Sequence, residues 1–119
     1  MNAMELRKGN WVLSPSPVQV ETIGYEGINI DSFGKTSYPF EKLAGIPITR
    51  ELLEEAHFIE GEKEFQGYIM SVLEREGKME IYTFEDKTTL IEFPCQYVHQ
   101  LQNLHFHLMG DELPQLSFI

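Results

Sequence analysis

The sequence predicts an α+β protein. It begins with a small SH3-like β-barrel or curled sheet. A helix comes next, then an antiparallel sheet of three to four strands and a C-terminal helix packed on it. Three observations predict this. Four or five short runs with strand period fall in the first forty residues, each closed by a turn signal. Thr49-Arg50-Glu51-Leu52-Leu53 has the pattern of a helix start. A hairpin and a third strand then lead into Tyr97 to Met109, a helical run stopped by Gly110.

The elements come in order. Leu6-Arg7-Lys8-Gly9-Asn10-Trp11-Val12-Leu13 is a turn entering a strand, and Ser14-Pro15-Ser16-Pro17 breaks it. Val18, Val20 and Thr22 alternate with Gln19, Glu21 and Ile23. Tyr25-Glu26-Gly27 turns the chain, and Ile28 and Ile30 alternate again. Asp31-Ser32-Phe33-Gly34-Lys35 is another turn, before a short strand from Thr36 to Phe40. A simple meander packed on the later elements is the alternative to a barrel. Trp11, Tyr25, Tyr38 and Phe40 are either an exposed aromatic set or the core of this part.

Thr49 is the expected N-cap of the first helix, with Ile48 and Leu53 at the hydrophobic-staple positions. Leu52, Leu53 and Ala56 form its inner stripe. Glu60 to Lys63 reads as an acidic turn. Phe65 to Glu74 and Met79 to Glu85 read as a hairpin closed near Glu76-Gly77, and Thr89 to Phe93 as a third strand. The second helix runs from Cys95 or Gln96 to Met109. The tail Leu113 to Ile119 is expected to add an edge strand through Leu116 and Phe118. Residues 1–47 and 48–119 are two parts of one packed unit.

Charge narrows the function. The chain has 119 residues and a net charge of −10. Residues 1–47 carry −1, residues 48–94 carry −7 and residues 95–119 carry −2. No Lys/Arg cluster is available to release counterions from a polyanion, so direct nucleic-acid or anionic-membrane binding is not expected. The single Cys95 excludes an internal disulfide and fits a reducing cytoplasm. No apolar run approaches the roughly 18 residues of a membrane span, and the first residues lack a signal-peptide core.

The second helix carries the least ordinary chemistry. At about 100° per residue, Tyr97, Val98, Leu101, Leu104, Leu108 and Met109 share a core face, with His105 near its edge. His99, Gln100, Asn103 and His107 lie opposite, and Phe106 lies between the two sides. His105 and His107 diverge by about 200°, which defeats a shared metal. Cys95 and His99 supply two ligands, too few for a zinc site. Neither metal nor cofactor is expected. Cys95 as a nucleophile competes with Cys95 as a small buried hydrophobe. No catalytic motif is present, and no catalytic residue is assigned.

Four blocks carry a family resemblance. They are Leu6-Arg7-Lys8-Gly9-Asn10-Trp11-Val12, then Gly27-Ile28-Asn29-Ile30, then Ile46-Pro47-Ile48-Thr49 with Leu52-Leu53 and Phe58. The last is Tyr97-Val98-His99-Gln100-Leu101-Gln102-Asn103-Leu104 with Gly110-Asp111-Glu112-Leu113. In this order they resemble a family of small uncharacterised proteins of gut bacteria and their prophages or mobile elements. His105 and His107 depart from its pattern. The resemblance implies a bacterial or phage cytoplasm and no particular activity.

The expected function is therefore a non-enzymatic protein-interaction module, an accessory of a mobile element, with a protein or a second copy as partner. Its candidate patch is His99, Gln102, Asn103 and Phe106. One alternative is a small-molecule binder or enzyme with a site near Cys95 and His99. The other is an acidic nucleic-acid mimic acting on a basic host protein, which requires carboxylates of residues 51–92 in a row on one face.

Overall fold

The computed structural model describes residues 1–30 and 37–118. It is α+β, with antiparallel sheets of two, three and four strands and two α-helices. Strand β1 (Trp11–Leu13) pairs with β2 (Pro17–Gln19). Strands β3 (Thr22–Ile23), β4 (Gly27–Asn29) and β5 (Ser37–Pro39) form a meander. The predicted turn Asp31 to Lys35, and Thr36, lie outside the described residues.

A closed barrel does not form. β2 starts on a proline, which offers no N–H, and β3 is only two residues long. The chain changes partner at a corner: the Val20 amide donates to Asn10, and the Glu21 amide to Asn29. After β5 a 3-10 turn (Phe40–Lys42) leads back to β1 by one bridge, Leu13 with Ala44. The result is a curled sheet around Leu6, Val12, Val20, Ile28 and Leu43, with Tyr38 and Phe40 packed against it. Of the four aromatics singled out, Tyr25 alone is fully exposed.

Helix α1 (Arg50–Glu55) starts as its sequence predicts. Thr49 Oγ1 accepts from the Leu52 amide at 3.2 Å, and Ile48 and Leu53 are both buried. His57 leaves the helix in the left-handed region (φ 68°). The third sheet has strand order β6 (Glu62–Phe65), β7 (Tyr68–Leu73), β8 (Lys78–Thr83), β9 (Thr89–Pro94). Where an acidic turn was expected, the turn proper is Ile59 to Glu62, and Lys63 already belongs to β6. Positive φ at Glu60-Gly61 and Gln66-Gly67 gives both turns the twist that tight hairpins need.

Helix α2 (Val98–Met109) begins later than the sequence suggests. Gln100 Oε1 accepts from the Gln96 and Tyr97 amides at 2.7 and 3.0 Å, fixing the entry. Gly110 closes the helix in the left-handed conformation (φ 80°). The inner sheet face (Met70, Val72, Met79, Ile81) meets Leu52 and Leu53 of α1, Phe58 just after it, and Val98 and Leu101 of α2. The tail adds no strand among the described residues. It lies extended, with Leu113 and Leu116 buried in this core and Phe118 4.9 Å from Trp11. Among the described residues no helix is long and apolar enough to cross a membrane.

Candidate functional site

The unusual face of α2 is covered, and the cover is the N-terminal segment. Gln102 lies in the middle of the seam. Its Nε2 donates to the Gly9 carbonyl at 3.0 Å, and its Oε1 accepts from the Trp11 amide at 2.9 Å. A side-chain amide thus satisfies backbone groups at the entry to β1, as another strand would. Asn103 is its neighbour. Nδ2 donates to the Glu5 carbonyl at 2.9 Å, and Oδ1 accepts from Asn10 Nδ2 at 2.9 Å and from Arg7 Nε at 3.2 Å. Asn10 is fully buried, and its Oδ1 accepts from the Arg7 amide at 2.7 Å.

Arg7 closes the seam. Its guanidinium forks onto Glu112 at 2.5 and 2.8 Å and lies 4.4 Å from the centre of the Phe106 ring. The pairing raises the Arg7 pKa and lowers that of Glu112. Phe106 is 38 % exposed, with the Arg7 guanidinium lying over its ring. Sequence reasoning singled out Gln102, Asn103 and Phe106 but not Arg7, Gly9, Asn10 or Glu112. The available signal was that the blocks Leu6–Val12 and Tyr97–Leu104, read separately, both lack a local reason for their amides.

His99 is 1 % exposed. The 3-10 turn Ala3–Glu5 brings Glu5 Oε1 within 3.8 Å of Nε2, too far for a hydrogen bond, so neither ring nitrogen has a partner. The ring stacks on Tyr97 with centroids 5.9 Å apart. Tyr97 in turn lies against Gly45, where a Cβ would meet the ring at 2.3 Å. Burial lowers the His99 pKa, and Glu5 opposes that only in part.

His105 is buried on the other side of α2, as its helical position predicts. Nδ1 lies 2.9 Å from the Asp111 carbonyl, which only accepts, so Nδ1 carries the proton. Nε2 then accepts from the Lys63 ammonium at 3.0 Å. Lys63 also donates to the Ala56 carbonyl at the end of α1 (3.2 Å). Burial is the main cause of the lowered His105 pKa, and the nearby Lys63 charge adds to it.

Cys95 is fully buried, and burial pushes its thiol up to about 12. At neutral pH it is a packed apolar group without a nucleophilic thiolate. Cys95 and His99 are both buried away from solvent. The hollow beside Gln102 is lined by Gly9, Trp11, Gln19, Glu112 and tail residues, and touches neither. Among the described residues no three metal-ligating side chains converge. The four candidate patch residues do come together, but His99 is buried, and Gln102 and Asn103 are hydrogen-bonded inside the chain.

The outward side of the four-stranded sheet is different. Pairing register places Glu62, Ser71, Glu80 and Glu92 in one row across β6 to β9. Alternation puts this row on the face away from the core. Tyr82 donates to Glu62, and burial with that carboxylate pushes the phenol up to about 12. Comparison with protein-family models, curated proteins and solved structures finds no match to the chain.

Proposed function

We propose that the chain is a non-enzymatic protein-interaction module whose contact surface is the outward side of the four-stranded sheet. One observation carries this reading: two exposed large apolar residues line one hollow at its edge. They are Ile59 (80 % exposed) and Phe84 (49 %). Glu62, Glu64 and Ile69 line the same hollow. Single exposed apolar side chains are ordinary on a monomer, but a gathered set marks a contact. The bacterial or phage setting implied by the family resemblance belongs to the same proposal, as does a role as accessory protein of a mobile element.

A photo-crosslinking residue in place of Phe84 tests the reading in cells of the native host. It is expected to join a partner protein. The same residue in place of Tyr25, fully exposed on the N-terminal part, is expected to join none. Equal adducts from both positions, or none from position 84, would remove the proposal.

The carboxylate row favours a second reading, the nucleic-acid mimic, but its charge density is low. The row crosses four strands, about 14 Å at the usual spacing. It holds three carboxylates, and Lys78 sits within 3.4 Å of two of them. A duplex of that length presents about eight phosphates.

A further inference from the structure

We infer that this outward sheet face docks a basic protein segment, one that presents lysine or arginine beside an apolar side chain. The inference rests on the interaction reading above and gives the partner its chemistry. Next to the Glu62, Ser71, Glu80, Glu92 row lies a second one, Glu64, Ile69 and Tyr82. At the edge of both rows is a hollow of about 320 Å³ lined by Ile59, Glu60, Glu62, Glu64, Ile69, Phe84 and Lys87. Carboxylates therefore rim an apolar floor.

The chain's own lysines demonstrate how an ammonium seats on this face. Lys78 Nζ lies 3.3 Å from Glu80 and 3.4 Å from Glu92. Lys87 Nζ lies 5.5 Å from the ring centres of both Tyr82 and Phe84, within cation–π range. Five carboxylates (Glu60, Glu62, Glu64, Glu80, Glu92) outnumber these two lysines. Charge decides between occupants. A second copy would bring another net charge of −10 against this face, whereas a basic segment neutralises it. The contact between Tyr82 and Glu62 orients one carboxylate in advance, which reduces the ordering cost of binding.

The test uses the full chain and a fluorescent ten-residue peptide of alternating lysine and leucine, read by anisotropy and by backbone amide shifts. Two triple variants change the net charge equally. Glu62→Gln/Glu80→Gln/Glu92→Gln is expected to weaken binding about tenfold. Glu21→Gln/Glu26→Gln/Glu41→Gln, on the N-terminal part, is expected to stay within about twofold. Phe84→Ser, which keeps every charge, is expected to weaken binding about fivefold. Added salt should raise the Kd. A thermal melt checks that each variant is folded, and Glu92→Gln alone, on the exposed edge strand, stands in if the sheet triple is not.

Equal weakening by the two triples would overturn the inference, since binding would then follow net charge alone. Amide shifts that map away from β6 to β9, or no binding at millimolar peptide, would overturn it too. Tight binding of the matched glutamate–leucine peptide would do the same. If crosslinks at position 84 persist while the peptide fails, only the basic partner is lost and the interaction reading stands.

Discussion

Gln102 shows how one side chain can organise a fold. Its amide is buried and meets one backbone donor and one backbone acceptor on the same short segment. Gln102→Ala leaves the Trp11 N–H and the Gly9 carbonyl without these partners. It is expected to destabilise the protein by about 1–3 kcal/mol. Urea denaturation measures the loss, and hydrogen exchange at the Trp11 amide localises it. An unchanged denaturation midpoint would mean that the amide is not part of the seam. In the sequence this residue was visible only as an oddity, an uncharged polar position on a helix of an acidic chain. Its partners lie over 90 positions away, and no local pattern encodes that distance. His105 was more legible, because its angular position alone placed it near the core edge. His99 was not, because the face opposite the sheet is normally solvent and here is covered by the first five residues.

At the level of elements, whatever depends on three or four consecutive residues could be read directly. The Thr49 cap, the Ile48–Leu53 staple, the Gly110 stop and the β7–β8 hairpin all obey short-range rules. Elements that depend on what lies beside them were misread. The tail has the alternation of a strand, but Leu116 and Phe118 are held by core packing and by Trp11 rather than by a ladder. The barrel has the strand count but not the strand length. The hairpin turns allow a direct test. Gln66 and Gly67 are the two central residues between β6 and β7, both with positive φ (48° and 85°). Asparagine tolerates that region better than glutamine does. Gln66→Asn should therefore raise the denaturation midpoint, by a gain of about 0.5–1 kcal/mol. A loss of stability would show that the Gln66 side chain makes a contact worth more than the relief of strain.

The molecule as a whole is long for its size. It measures 51 × 25 × 23 Å, with a radius of gyration of 15.0 Å against about 13.5 Å for a compact chain of this length. Two hydrophobic clusters lie along it, and α2 joins them by offering one side to the sheet and the other to the N-terminal segment. Both buried histidines belong to this helix, so its packing depends on pH. Burial lowers both pKa values in the fold, whereas an unfolded imidazole titrates near about 6.5. The fold binds fewer protons than the unfolded chain. Its full stability is present above about 6.5 and is lost as pH falls through that value toward the lower folded pKa. Urea midpoints should be level from about pH 8 to 7 and fall as the pH drops below about 6.5. His99→Phe should flatten that fall, since the ring it replaces has no hydrogen-bond partner to lose. An identical slope in the variant would assign the effect to other groups.

Arg7 meets Glu112 and Trp11 meets Phe118, so the first dozen residues are locked by the last two dozen. During synthesis residues 7–11 leave the ribosome long before α2 exists to hold them. Asn10, Gly9 and Trp11 must wait through the making of the whole sheet. A chain broken off before α2 would lack the partner of the Trp11 amide and of the Gly9 carbonyl. The clasp therefore ties the fate of the two parts together: whatever loosens α2 also opens residues 7–11 to proteases.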